Sequence, residues 1–445
     1  MDTPICDFVR DYAEREALRL HMPGHKGSGP VGAERLDITE ISGADSLYEA
    51  DGIIGRSEEN AGRLFGCRTY YSTEGSSLCV RAMIYLIMLY AKQSGKKPLI
   101  AAGRNAHRSF LSAAALLDPD IMWLYPKGGG SYLSCTPDEE ELDRLLSDAE
   151  QTPAAVYITS PDYLGNLADI AAIARVCHRH GCLLAVDNAH GAYLKFLRVS
   201  AHPTDLGADI CCDSAHKTLP VLTGGAYLHI SPSAPELFAR QAKNALALFG
   251  STSPSYLILQ SLDAANKHLA DRCRLHEFAA MTEELKIDLT RFGYRLLGSE
   301  PLKITVDAKK YGYSGGELAR ILAEHNAVCE FSDPDYLVLM LTPENGAEGL
   351  KRLKDLLTSI PAKAPITVQP PALQRGERVL SIREAVLSPS EAVPTEESLG
   401  RVLAAVTVGC PPAVPILVSG ELIDGHAVAC FKYYGYDSCE VVCNK

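Results

Sequence analysis

The sequence predicts an α/β fold: a mostly parallel sheet with helices on both faces, followed by a smaller α+β domain. Three observations predict it. Through the first half, short apolar runs rich in Val, Ile and Tyr alternate with helical stretches, the signature of βαβ units. Residues 247–293, "ALFGSTSPSY…LTRFG", then read as largely helical without strand signals, a bridge out of the first domain. Beyond them strand-like runs interleave with two amphipathic helices, an α+β pattern.

In order, "TYYST" (69–73) leads into the helical "SSLCVRAMIYLIMLYAK". Gly75, Ser76 and Ser77 sit at that turn, where free backbone N–H groups and two hydroxyls suit a phosphate. Serine is equally a plain N-cap. "PLIAA" (98–102) precedes "HRSFLSAAALL", which puts His107 just past a strand, either a loop histidine or a ring able to stack on an aromatic ligand.

"AAVYITS" (154–160) precedes "LADIAAIARVCHRH". Cys177, His178, His180 and Cys182 are zinc-ligand types, but the stretch has an apolar helical period, ends in His and meets Gly181 as a C-cap. A helix end accounts for every one of these residues, and no metal site is expected.

"CLLAVD" (182–187) ends in Asp187, and a carboxylate buried there needs a cationic partner such as a protonated pyridine nitrogen. Ala189 is small enough for a flat ring to lie close, and His190 is within reach of its phenolic oxygen. "DICCD" (209–213) is followed by Ser214-Ala215-His216-Lys217. Lysine is normally exposed, yet a desolvated lysine sheds its proton and becomes a nucleophile towards an aldehyde such as pyridoxal phosphate. A phosphate cup, a stacking ring, a pyridinium carboxylate and a Schiff-base lysine, each at a strand end, support one another as one cofactor site.

Later runs "LKITVD", "AVCEFSD" and "YLVLMLT" alternate with "GGELARILAEHN" and "GAEGLKRLKDLLTSI". A Pro-rich break at 361–372 precedes a tail with many prolines and short strands. The expected division is 1–290, an N-terminal arm and the large cofactor domain, and 291–445, a C-terminal domain whose last segment is 373–445.

A chain of 445 residues, 47% hydrophobic, is long enough for two cores. Its net charge of −12, from 43 basic and 55 acidic residues without long runs, argues against nucleic-acid or anionic-membrane partners. No apolar stretch has the length of a membrane span, and "MDTPICDFVRDYAERE" lacks a signal core. Fourteen scattered cysteines without a secretion signal predict reduced thiols and a cytoplasmic protein.

At this point a resemblance is plain. "HMPGHKGS" (21–28), "GIIGRSEENAGRLFG" (52–66), "RNAHRS" (104–109), "VDNAHG" (186–191), "SAHK" (214–217), "STSPSYLILQSLDAA" (251–265) and "REAVLSPSEAVPTEESLGRV" (383–402) occur in order. The chain resembles the Orn/Lys/Arg decarboxylases, in the short form without an N-terminal wing domain. The resemblance implies a fold-type-I, pyridoxal-phosphate-dependent transferase-like architecture, decarboxylation of lysine, ornithine or arginine, a place in polyamine biosynthesis, and a homodimer or higher homo-oligomer. It further implies that Lys217 carries the cofactor, Asp187 pairs with its ring nitrogen, His107 stacks on the ring, and Ser76, Ser77, Ser214 and His216 serve the phosphate.

This sequence departs from the family pattern at several points. Asn188 stands where the family usually has Glu, Tyr48 where His is common, Asp162 where Thr is usual, and "GCPPAVP" (409–415) replaces a related proline motif. These changes leave the cofactor chemistry in place and bear on the substrate. Acids able to read a distal ammonium or guanidinium are Glu49, Asp51, Asp162 and Glu421. The proton donor at Cα is Lys217 or His107. Alternative readings are another fold-type-I reaction, an aminotransferase or carbon–sulfur lyase, and a catalytically silent cofactor-binding scaffold.

Overall fold

The computed structural model describes residues 1–126, 131–405 and 411–443. Gly409 and Cys410 of "GCPPAVP" therefore lie outside the described residues. The chain divides into two compact units: residues 1–98, 145–157 and 170–273 form the first, and 99–144, 158–169 and 274–445 the second.

In chain order the elements up to the helical bridge are α1 (Pro4–Glu14), α2 (Ile53–Phe65), β1 (Arg68–Ser72), α3 (Gly75–Gln93), β2 (Leu99–Gly103), α4 (Arg108–Leu117), β3 (Asp120–Leu124), α5 (Glu139–Asp148), β4 (Ala155–Thr159), α6 (Ile170–Arg179), β5 (Leu183–Asp187), β6 (Ile210–Asp213), α7 (Ala215–Thr218), β7 (Ala226–Ile230), α8 (Glu236–Phe249), α9 (Tyr256–Leu269) and α10 (Cys273–Phe292). The strands make a mostly parallel seven-stranded sheet in the order β1-β7-β6-β5-β4-β2-β3, with β7 antiparallel to both of its neighbours. In β5 and β6, Ala185 pairs with Ile210 and Asp187 with Cys212 in parallel register, so both strands end at the same level. Every residue of these two strands is buried, as continuous apolar runs covered on both faces require.

The sequence reading found five of the seven strands. It did not mark β3, "DIMWL", whose residues are mostly half-buried and carry no alternation, nor β7, which starts directly after Gly224-Gly225. The helical bridge is three helices, α8 to α10, interrupted at 250–255 and 270–272.

Within the first unit α3 is apolar around most of its circumference and correspondingly buried from Leu78 to Ala91. Asp263 of α9 fastens α1: its Oδ2 accepts the Ile5 and Cys6 N–H groups at 3.0 Å, while the Ser57 hydroxyl donates to Oδ1 at 2.6 Å. Asp45 accepts backbone N–H groups of Ser46, Asp51, Gly52, Ile54 and Gly55, and so organises the loop into α2.

In the second unit follow β8 (Leu296–Leu297), β9 (Lys303–Asp307), α11 (Gly315–Glu324), β10 (Phe331–Ser332), β11 (Tyr336–Met340), α12 (Gly346–Ser359), α13 (Ile382–Val386), β12 (Ser390–Pro394), α14 (Gly425–Tyr433) and β13 (Ser438–Val442). An antiparallel sheet runs β10-β11-β9-β8, and β12 pairs with β13. Tyr163, Phe331, Leu403, Phe431 and Val441 belong to this unit's apolar cluster. Among the described residues, no helix is long and apolar enough to cross a membrane, and every described cysteine is free.

Candidate active site

All but one of the site residues expected from sequence lie in the first unit, at the turns that end β1, β5 and β6. The exception is His107, in the second unit. There it caps α4, its Nδ1 accepting the Ser109 N–H at 3.1 Å and lying 2.8 Å from the Ser109 hydroxyl.

Asp187 ends β5 and is 3% exposed. Its Oδ2 accepts the Tyr157 hydroxyl at 3.0 Å, and its Oδ1 accepts the Ala189 N–H at 3.2 Å and the Cys212 thiol at 3.7 Å. Every one of these partners is neutral. Among the described residues, no charged group hydrogen-bonds to this buried carboxylate.

The turn after β6 carries Ser214 and the short α7, with Lys217 half-buried. Lys217 Nζ lies 2.9 Å from Nε2 of the buried His190, so an amine and an imidazole meet across the β5 and β6 turns. His216 Nδ1 is 3.0 Å from the Gly225 carbonyl.

Gly75, with φ of +70°, opens α3, and its N–H donates to the Gly224 carbonyl at 2.7 Å. Glu74, at the N-cap, makes no side-chain capping bond, which leaves this helix end open to an anion. Its carboxylate instead accepts the Ser251 N–H at 2.6 Å. Ser76 and Ser77 follow at the helix start, and the Ser214 hydroxyl reaches that of Ser76 at 2.7 Å. Two hydroxyls thus meet beside an uncapped helix start, brought there from two strand ends, with Ser77 next in the helix.

Sequence reasoning missed the layer behind Asp187. Asn188 Nδ2 donates to Asp213 Oδ1 at 2.6 Å, and Asp213 Oδ2 lies 3.1 Å from Nε2 of both His202 and His229. Both histidines and Asp213 are fully buried. The far nitrogens meet hydroxyls, Thr204 at 2.8 Å for His202 and Thr69 at 2.9 Å for His229. Burial holds His229 below the ordinary histidine range, while the two imidazoles oppose burial and hold the Asp213 carboxyl well below its usual range. His202, Cys211 and Asp213 also bring three metal-type ligand atoms within 4.8 Å of one another. Both Asp213 oxygens already accept hydrogen bonds and burial pushes the Cys211 thiol up, so the set reads as a hydrogen-bond network. The signal available beforehand was an acid ending β6 as Asp187 ends β5.

The zinc-like stretch forms a helix end, with His178 and Arg179 in the last turn of α6, Gly181 left-handed, and His178 Nε2 3.0 Å from Asp209. Of the acids considered for a distal charge, Asp162 accepts the Leu164 and Asn166 N–H groups and the Asn166 amide, which makes it a turn organiser. Glu421 accepts from buried Arg104 at 3.3 Å and from the Val418 N–H at 2.8 Å. Glu49 and Asp51 are exposed, and among the described residues no hydrogen bond or ion pair engages their carboxylates. Tyr48 packs its hydroxyl against Gly250, where a Cβ would come within 1.9 Å of it. Burial, reinforced by Glu74, pushes this phenol up to about 12.

Comparison with known proteins gives a consistent picture. The profile of the family described as "Orn/Lys/Arg decarboxylase, major domain" matches residues 3–296. The chain is 29% identical to YaaO, an uncharacterized protein of Bacillus subtilis, across 96% of this chain and 93% of that one. It is also 29% identical to an arginine decarboxylase of Halalkalibacterium halodurans, across 95% and 91%. The solved lysine decarboxylase LdcF of Francisella novicida superposes with a TM-score of 0.80 at 17% identity, across 99% of this chain and 81% of that chain.

Proposed function

The chain belongs to the Orn/Lys/Arg decarboxylase family, and from that premise we propose that it removes the α-carboxylate of lysine, ornithine or arginine with pyridoxal phosphate as cofactor. The observation that carries this reading is Asp187: a buried carboxylate with only neutral partners is completed by a protonated pyridine nitrogen. The hydroxyls of Ser76, Ser77 and Ser214 and the open start of α3 fit the phosphate, with Gly75 leaving room for it and His216 beside them. Ala189 keeps the space beside Asp187 free for a flat ring.

When bound, pyridoxal phosphate supplies the aldehyde to which lysine attaches and an electron sink for the bond that breaks. Asp187 holds the ring nitrogen's proton, an electrostatic effect aimed at charge that develops during reaction. Lys217 Nζ holds the cofactor and yields it to substrate, and His190, 2.9 Å away, exchanges a proton with that nitrogen. For His107 the proposed role is the stacking that the family resemblance implies. Of the four acids considered for a distal cation, Glu49 and Asp51 are the two whose carboxylates no described hydrogen bond or ion pair engages.

The same reading makes the protein a cytoplasmic homodimer in polyamine biosynthesis. Free cysteines support a reducing compartment. Exposed apolar residues near the N-terminus support a partner subunit. For the proposed division at 290/291, the four-stranded sheet, whose strands all follow α10, supports a separate C-terminal body, while the boundary itself falls within the last turn of α10 and the compact units part at 273/274.

The test is CO₂ release from lysine, ornithine, arginine and neutral amino acids by the purified protein with pyridoxal phosphate, with borohydride reduction and mass spectrometry locating the attachment. Release from a basic amino acid and an adduct on Lys217 are expected. Transamination or sulfide release without CO₂ would move the assignment to another fold-type-I reaction, and no product at all would leave a silent scaffold.

A further inference from the structure

Asn188 and Asp213 occupy matching places. Asn188 follows Asp187 at the end of β5 and leads into Ala189 and His190, while Asp213 ends β6 and leads into Ser214 and Lys217. The 2.6 Å bond from Asn188 Nδ2 to Asp213 Oδ1, together with the Asn188 N–H to Cys212 carbonyl bond at 3.0 Å, ties the two turns that bring His190 and Lys217 together.

The chemistry at this contact is restrictive. Asp213 Oδ2 faces two histidine Nε2 atoms whose other nitrogens meet threonine hydroxyls, so this oxygen is already engaged by both rings. Its Oδ1 then requires a donor. An amide at position 188 supplies one, with its Oδ1 turned towards Gly191, where a Cβ would come within 2.0 Å of it. An acid at position 188 would set a second carboxylate against Asp213 in a space without water access.

We propose that Asp213, braced by His202 and His229, is a positioning residue that sets Lys217 against His190 through Asn188. This inference rests on the assignment of Lys217 as the cofactor lysine. Asn188 and Asp213 are therefore exchangeable only as a pair. With Asn188→Asp and Asp213→Asn together, the new amide oxygen accepts from both histidines and its nitrogen donates to the new carboxylate, which restores one charge and every bond.

The experiment uses the full chain and pyridoxal phosphate. It reads three quantities: the cofactor dissociation constant, the pH midpoint of the visible absorbance of the Lys217-bound cofactor, and the melting temperature. Asn188→Asp alone is expected to weaken cofactor binding at least tenfold and to shift the absorbance midpoint, and the double exchange to return both to within about threefold and a few tenths of a pH unit of wild type. Asp213→Asn, which lets Asn188 turn its oxygen to the new amide, keeps the test readable where Asn188→Asp does not fold, and it should shift the midpoint with little loss of melting temperature. A double exchange that recovers melting temperature but not cofactor binding or midpoint, or an Asp213→Asn protein with the wild-type midpoint, overturns the proposal. Failure of the wild-type chain to form any Lys217-bound chromophore would instead overturn the cofactor assignment beneath it.

Discussion

Asp187 and Tyr157 separate a charge from a hydrogen bond at one atom pair. Asp187→Asn keeps the shape but removes the negative charge proposed to face the ring nitrogen, so kcat/KM should fall by about two or more orders of magnitude, the scale of losing one well-aimed electrostatic group. Tyr157→Phe removes one neutral donor from Oδ2, worth about 1.5 kcal/mol for a hydrogen bond to a carboxylate, and should cost about tenfold. Steady-state kinetics on the two variants decide the matter, and equal losses would show that geometry rather than charge dominates. Asp187 and Lys217 were legible in sequence because each stands at the end of an apolar run, where a charged side chain demands a reason. Tyr157 was not, since a tyrosine within "AVYIT" reads as strand core. The Asn188–Asp213 contact was hidden for another reason: it depends on β5 lying beside β6, and lateral order is a property of the sheet, not of either segment.

Turns show a similar division between what local chemistry reveals and what packing adds. Alternation located the strands around the site, yet β7 escaped because it begins immediately after Gly224-Gly225 and is antiparallel inside an otherwise parallel pattern. Gly224 itself, at φ +100° with a Cβ position 2.8 Å from the Thr73 carbonyl oxygen, holds the β6–β7 connection against the start of α3. In the second unit the turn between β10 and β11 holds a half-buried acid whose Oδ2 is shielded from solvent. Asp333 Oδ1 accepts the Asp335 and Tyr336 N–H groups at 2.7 Å, and its Oδ2 has no hydrogen-bond partner. Burial, with Asp335 adding to it against those two N–H groups, pushes the Asp333 carboxyl up to about 7. The folded chain therefore keeps a proton that the unfolded chain has lost above its ordinary value near 4. Stability from this group is present below about pH 4 and declines as pH rises towards 7. Denaturant midpoints of wild type and Asp333→Asn should accordingly diverge across that window, with the variant gaining on wild type by up to a few kcal/mol. Parallel pH profiles would show that the proton is not retained.

For the molecule as a whole, the decisive question is what covers the N-terminal segment. Leu18 and Leu20 are each 83% exposed, Met22 69% and Val31 83%, all within or beside "HMPGHKGS". Isolated exposed leucines need no explanation, but four large apolar side chains within fourteen positions of one segment form the kind of patch that soluble chains use for association. The segment is also rich in Gly, Pro and His, which suits close backbone approach and not a helix or strand interior. A second copy of the chain is the partner the proposed function calls for, and a net charge of −12 on each copy makes apolar contact, in preference to ion pairing, the natural source of its affinity. Leu18→Asp with Leu20→Asp should then convert a dimer to a monomer in sedimentation velocity, with cofactor-dependent activity lost at low protein concentration and partly recovered at high concentration, as mass action requires. A wild-type chain that sediments as an active monomer at assay concentration would reject the dimer. A variant that remains dimeric and active would place the interface on another surface.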